Sequence, residues 1–374
     1  MEAPARTGVE VETGFPGGNA RLCEREDGRV RLAPETRDST REWFYWNAAI
    51  TAATAGERLI EFGDREVVGP LGPAVEDGEE WSWLGPEARV DASAFRYDFD
   101  AGERVRFAFA PPYQRADFER WYDAHASNGR LHRETLTTSE CGRSVPLVRV
   151  GSGQRHVVVT CRHHSCETTA SYALAGLLSA LLAETPLGGD YTVHAVPMVD
   201  IDGVERGDQG KYRAPHDHNR DYVDGNALSS SLSPLYAATA AIMGYVRSLS
   251  GPLVAGLDLH CPYRWGNGND TPFFVGDPEA IDPALSSLLD RLSAATDRRP
   301  ESLAFAPEDG VQGFDGQAAA APTFRSFVDE EGADLAATLE VPYVGTAADP
   351  VTPTSARAFG GAVAAALGEW TERK

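Results

Sequence analysis

From residue 157 onward, short apolar runs alternate with stretches of helical periodicity, and this alternation most limits the folds open to the chain. The strand-like runs are 157–160, 192–199, 253–259, 272–276 and 335–341. Helical patterns fill 168–184, 234–249, 282–295 and 354–370. In the first of these, Leu174, Leu177, Leu178, Leu181 and Leu182 share one face. Strands separated by helices predict an α/β layered architecture with a largely buried sheet.

The first hundred or so residues follow a different rule. Short aromatic or alternating runs at 41–47, 57–62 and 104–110 are separated by turns rich in Gly, Pro and Asp at 69–73 and 98–102. Such spacing predicts a small antiparallel β-sandwich. Residues 115–123 read as a connecting helix. The expected organisation is therefore an N-terminal β-sandwich over 1–114, followed by a mixed-sheet α/β domain over 115–374.

A chain of 374 residues has ample length for two such cores. Its net charge is −22, and among 34 basic residues only Lys211 and Lys374 are lysines. That balance disfavours nucleic acid and anionic membranes as partners. No apolar stretch approaches the ~18 residues of a membrane span. The start, Met1-Glu2-Ala3-Pro4, lacks the basic-then-apolar pattern of a secretory signal. Cysteines stand at 23, 141, 161, 166 and 261, an odd set without zinc-finger spacing. The expectation is a reduced, cytoplasmic protein.

Chemistry concentrates where the strand-like runs end. His164 and Glu167 follow the first run, on the turn into a helix, where an i, i+3 pair can enter one cavity. Ligands collect at the carboxyl ends of strands in open α/β sheets. An imidazole and a carboxylate are two of the three protein ligands of an open catalytic zinc site. His260, closing the run 253–259, is the third candidate. Glu340 stands in an otherwise apolar run, where a carboxylate is costly unless paired or used.

Between these lie Arg213, Asp217, Asn219 and Arg220. The planar fork of Arg220 and the amide of Asn219 suit a carboxylate. Asp217 could accept the free ring N–H of a metal-bound histidine. Two other ligand sets stay open: His216 with Asp217 and His218, and a thiolate from Cys166. Each residue taken singly also reads as ordinary structure, a solvated pair, a core histidine or a polar turn.

In order along the chain, His164-x-x-Glu167, Arg213, Asp217-x-Asn219-Arg220, Asp258-x-His260 and Thr338-Leu339-Glu340 resemble the signature of the zinc metallocarboxypeptidases. Trp43-Phe44-Tyr45-Trp46, Trp81 to Gly85 and Phe107 to Tyr113 look like the sandwich domain that precedes the catalytic domain in the cytosolic carboxypeptidase-like subfamily. Gly210-Lys211-Tyr212-Arg213 is similar to that subfamily's arginine motif. The resemblance implies that His164, Glu167 and His260 bind one Zn2+ per chain. It implies Glu340 as general base, Arg213 polarising the scissile carbonyl, and Asn219 with Arg220 holding the substrate's terminal carboxylate. The implied partner is the C-terminus of a peptide or protein.

The chain departs from that pattern in two places. Ser165-Cys166 stand where the family usually has Pro-Gly, and no tyrosine occurs between Tyr263 and Tyr343, where the family commonly places one that folds over the substrate. Arg325 lies near a pocket arginine of the subfamily and would favour a C-terminal Glu or Asp; the alternative is pairing with the acids at 329–331. Two other activities share these residues: a zinc-dependent deacylase of N-acyl amino acids, and a zinc-retaining protein that binds without turnover.

Overall fold

A computed structural model describes residues 8–372, apart from 27, 79, 224–232 and 314–321. The N-terminal strands are β1 (Val9–Glu12), β2 (Arg21–Glu26), β3 (Arg29–Ala33), β4 (Asn47–Ala52), β5 (Gly56–Glu61), β6 (Ala74–Asp77), β7 (Glu80–Trp83), β8 (Arg89–Asp91), β9 (Ala94–Phe99) and β10 (Arg104–Ala108).

They form two five-stranded sheets, ordered β1-β4-β10-β6-β7 and β2-β3-β5-β9-β8. Pairing is antiparallel except between β3 and β5, which run parallel. Alternation sets the faces: in β3, Val30 and Leu32 are buried while Arg29 is exposed. Aromatic rings join the sheets, with Phe95 of β9 and Phe107 of β10 at 5.1 Å between centroids. The stretch 41–46, expected as a strand, is irregular, and only Asn47 opens β4. Its aromatics reach the second region instead: Phe44 meets Tyr343 at 5.6 Å, and the backbone N–H of Tyr45 donates to Gln209 Oε1 at 3.0 Å.

The second region begins with α1 (Arg115–His125) and a hairpin, β11 (Leu131–Thr138) and β12 (Ser144–Gly151). There follow β13 (Arg155–Cys161), α2 (Thr168–Ala183), β14 (Tyr191–Val196), α3 (Ile201–Arg206), α4 (Ala237–Ser248) and β15 (Leu253–His260). The chain ends with β16 (Phe273–Val275), α5 (Pro283–Asp297), β17 (Val311–Gln312), α6 (Phe324–Glu330), β18 (Leu335–Glu340) and α7 (Pro353–Thr371). The mixed eight-stranded sheet has the order β11-β12-β14-β13-β15-β18-β16-β17. Each strand-like run and helical pattern read from the sequence lies on one of these elements.

From β13 the chain moves to β14 on one side and later to β15 on the other, so the strand order reverses at β13. That reversal opens a crevice beyond the carboxyl ends of β13 and β15. The parallel register of β15 and β18 sets His260 directly beside Glu340. Beneath the sheet, α2 and α7 touch backbone to backbone. A Cβ on Gly176 would lie 1.9 Å from Arg357 O, and one on Gly360 1.8 Å from Ala173 O.

Candidate active site

The turn after β13 brings the first donors into place. Arg162, with a left-handed φ of 62°, is wholly buried under this turn. Its guanidinium donates to Tyr113 O at 2.7 Å, to Ser171 Oγ at 3.1 Å and to the carbonyl of Ser165. Anchored in this way, the turn projects His164, and Glu167 becomes the N-cap of α2. His164 Nδ1 lies 2.9 Å from Glu167 Oε1 and 3.1 Å from Nδ1 of His260. Nδ1 of His260 is 2.7 Å from Glu167 Oε2. The three side chains are buried.

On the far side of each ring stands a carboxylate. His164 Nε2 faces Asp217 at 3.1 and 3.3 Å, and His260 Nε2 faces Asp258 Oδ2 at 2.7 Å. With those nitrogens assigned as the N–H donors, both Nδ1 lone pairs converge on the oxygens of Glu167. Donors around a tetrahedral zinc stand about 3.3 Å apart. The spacings of 2.7–3.1 Å need only small side-chain shifts to reach that, so the donor set fits zinc. Burial pushes the Glu167 carboxyl up, but His164, Lys211 and His260 together hold it well below the usual carboxylate range. Burial likewise lowers the His260 imidazole, but Asp258 and Glu167 override it and raise it well above the ordinary histidine range. A second convergent set, His163, Asp258 and His260, shares one ligand. His163 Nε2 is bonded to Tyr222 OH at 2.7 Å, and neither His163 nor Asp258 lines the open cavity.

That cavity, about 1110 Å³, is bordered by His164, Lys211, Asn219, Arg220, His260 and Glu340. Glu340 is 3% exposed, and its Oε2 has no hydrogen-bond partner among the described residues. Burial raises its carboxyl above the ordinary glutamate range. An unpaired buried carboxylate oxygen facing a cavity is placed to take a proton from something bound there.

Asn219 and Arg220 sit on one 3-10 turn, His218–Arg220, capped by Asp217. Arg220 NH1 donates to Asn219 O at 2.7 Å, while the Asn219 amide meets His260 Nε2 at 3.0 Å and accepts from Phe324 N at 3.1 Å. Arg325 also lines the cavity. Its NH1 donates to Val275 O at 2.7 Å, not to an acid at 329–331, and Glu331 holds Arg247 at 2.6 Å.

Arg213 is not brought to the cavity. One of its guanidinium nitrogens donates to Asp200 and the other to Asp208 Oδ2 at 2.8 Å, both carboxylates being buried. Cys166 is also turned away: its thiol lies 3.5 Å from Tyr343 OH, and burial pushes it up to about 12. His216 Nε2 pairs with Arg220 O at 2.7 Å and His218 stacks on Tyr236 at 3.6 Å, so neither joins the donor set.

Three residues that the sequence motifs contain, without a role assigned to them there, contribute to the site. Asp258 orients His260, Lys211 Nζ stands 2.9 Å from Glu167 Oε1, and Trp43 crosses from the N-terminal region to line the cavity. Trp43 packs between Tyr212 and Tyr263, at 5.4 and 5.2 Å, and both tyrosines are exposed at the mouth.

Residues 119–261 match the family profile described as zinc carboxypeptidase. An uncharacterised protein of Zymomonas mobilis is 24% identical over 238 residues, which is 59% of this chain and 61% of that protein. Human cytosolic carboxypeptidase 6 is 28% identical over 146 residues, 35% of this chain and 29% of its own length. The chain thus matches under two thirds of each of these relatives. Among solved structures, a metallo-carboxypeptidase from Pseudomonas aeruginosa in complex with (2-guanidinoethylmercapto)succinic acid aligns over 97% of this chain and 99% of its own, with a TM-score of 0.74 and 21% identity. No helix among the described residues is long and apolar enough to cross a membrane. The profile match over residues 119–261 and the shared fold are what this chain has in common with the zinc carboxypeptidases.

Proposed function

We propose that the chain is a zinc metallocarboxypeptidase that removes the last residue of a peptide or protein. The observation that carries this reading is the unpaired Oε2 of Glu340 in the cavity that also receives His164 and His260. His164, Glu167 and His260 would hold a single zinc ion, with Asp217 orienting His164. The ion supplies a Lewis acid that makes water nucleophilic near neutral pH. Glu340 takes the water's proton and returns it to the departing amine. Arg220 and Asn219 meet the terminal carboxylate, which gives the cavity its preference for chain ends. The carbonyl-polarising role expected of Arg213 is not carried further, because Asp200 and Asp208 occupy its guanidinium.

For Arg325 we keep selection of a C-terminal Glu or Asp, supported by its place in the cavity wall. We place the division between sandwich and catalytic region at 114/115, just before α1. A reducing, cytoplasmic setting is supported by five free cysteines. The test is release of the C-terminal amino acid from N-blocked peptides by the zinc-loaded protein, with N-acyl amino acids assayed alongside. Faster cleavage of the N-acyl amino acids would replace the peptidase with a deacylase.

A further inference from the structure

A substrate with a free C-terminus presents two anionic places to this cavity. One is the permanent carboxylate, which Arg220 faces; the other is the oxygen that becomes charged as water adds to the scissile carbonyl. We propose that Lys211, rather than Arg213, is the cation that meets this oxyanion and is a further catalytic residue of the enzyme. The inference rests on the carboxypeptidase reading above.

Position is the first argument. Lys211 lines the cavity with Glu340 and His164, and its ion-pair partner among the described residues is Glu167 Oε1 at 2.9 Å. An ammonium has three N–H donors, so with one given to Glu167 it keeps the capacity to donate to a group bound in the cavity it lines. Arg213 has no such freedom, since both terminal nitrogens are held by buried aspartates.

The second argument is how firmly the backbone of Lys211 is held. Gly210 has a φ of 77°, and a Cβ there would lie 2.3 Å from Ser165 N, so the loop passes directly against the turn carrying His164. From the N-terminal region, Asp38 accepts from Gln209 N at 3.0 Å and Gly210 N at 2.8 Å. Ser39 Oγ donates to Lys211 O at 2.8 Å, and Thr40 N to Tyr212 O at 2.9 Å. The segment 38–40 thus clamps the loop on both sides of Lys211. A donor fixed before the reaction needs no reorganisation when charge develops, which is what makes such groups effective. The chain otherwise writes its basic residues as arginine, with Lys374 the only other lysine.

In the step concerned, the water oxygen bonds to the carbonyl carbon and the C=O π pair moves onto the carbonyl oxygen. Glu340 holds the water's proton. The Lys211 ammonium donates to the new oxyanion and keeps its own proton. The pair then re-forms the carbonyl, the C–N bond breaks, and the nitrogen leaves with the proton from Glu340.

The test uses the full zinc-loaded chain with Lys211→Met, which keeps the stem, and Lys211→Arg, which restores the charge. Calorimetry measures binding of a peptide analogue with a phosphonate at the scissile position, a stable tetrahedral anion, and separately of the product amino acid. Chelator competition measures zinc affinity. Lys211→Met should weaken phosphonate binding roughly 30-fold or more and lower kcat about 100–1000-fold. Product binding, KM and zinc affinity should stay within about 3-fold, and Lys211→Arg should recover part of the loss. Phosphonate binding within about 3-fold of the parent would overturn the proposal. A loss confined to zinc affinity would overturn it too, reducing Lys211 to a partner of Glu167. Lysine-dependent phosphonate binding without peptide cleavage would instead sink the peptidase reading and leave Lys211 as the anion-binding group. A parent that binds no phosphonate removes both.

Discussion

Asp258 Oδ2 stands 2.7 Å from Nε2 of His260, on the opposite side of the ring from the Nδ1 that meets Glu167. The same carboxylate accepts from Thr160 Oγ1 at 2.8 Å and lies 2.8 Å from His163 Nδ1, so its position is fixed from three directions. Asp258 therefore decides which nitrogen of His260 is free to bind metal. Asp258→Asn should weaken zinc binding about 10- to 100-fold. Chelator competition measures this, and a change under threefold would show that His260 keeps its orientation without help.

Arg213 is a structural cation on this account. Removing it leaves Asp200 and Asp208 buried with a partner lost, although Arg37 and Arg206 still reach Asp208. Arg213→Ala should lower unfolding free energy by about 3–5 kcal/mol at neutral pH. Urea denaturation reads this directly. A loss below about 1 kcal/mol would mean that the two aspartates find other partners, and that the guanidinium is available for substrate after all.

At the other end of β13, His156 Nδ1 lies 3.0 Å from His194 Nε2, and Tyr245 OH is 2.8 Å from His194 Nδ1. Burial, followed by the charge of His156, lowers His194 to about 3. The unfolded chain, with an ordinary histidine near 6.5, then binds the extra proton between those values. Stability from this group is complete above pH ~6.5 and is lost as pH falls towards 3. Between pH 7 and 4.5 the parent should lose about 2–3 kcal/mol that His194→Gln does not. Parallel pH slopes of the two proteins would place the acid sensitivity elsewhere.

Arg325 tests specificity alone. Arg325→Ala should reduce the ratio of kcat/KM for Glu-terminated over Leu-terminated peptides by about 10-fold or more, the scale of one lost charged hydrogen bond. Steady-state assays on matched peptides give the ratio. An unchanged ratio would leave the arginine as a wall of the cavity bonded to Val275.

Much of this was legible in advance. The buried strands β13, β15 and β18 announce themselves as apolar runs, and His164, Glu167, His260 and Glu340 stand at their ends for a reason the sheet supplies. The hairpin strand β11 did not, because Leu131–Thr138 is largely polar and only Leu131 is buried, at the sheet edge. Helix α6 is only seven residues long, too short for periodicity to show. The parallel pairing of β3 with β5 depends on partners distant in sequence. The fate of Arg213 turned on Asp200 and Asp208, and the placement of Lys211 on Ser39 and Thr40, some 170 residues earlier. No local pattern carries such contacts. Ser165-Cys166, a departure in sequence, is absorbed without disturbing the donors, since Arg162 holds the Ser165 carbonyl and Cys166 points at Tyr343.

The central claim is that Glu340 acts on water beside a zinc held by His164, Glu167 and His260. Its most direct measurement is release of a C-terminal amino acid by the zinc-loaded parent and by Glu340→Gln, with zinc content determined for both. The account predicts measurable release by the parent, a loss of about 100- to 10,000-fold in kcat for the variant, and equal zinc in the two. Release within tenfold of the parent by Glu340→Gln, or none by either protein, would contradict it.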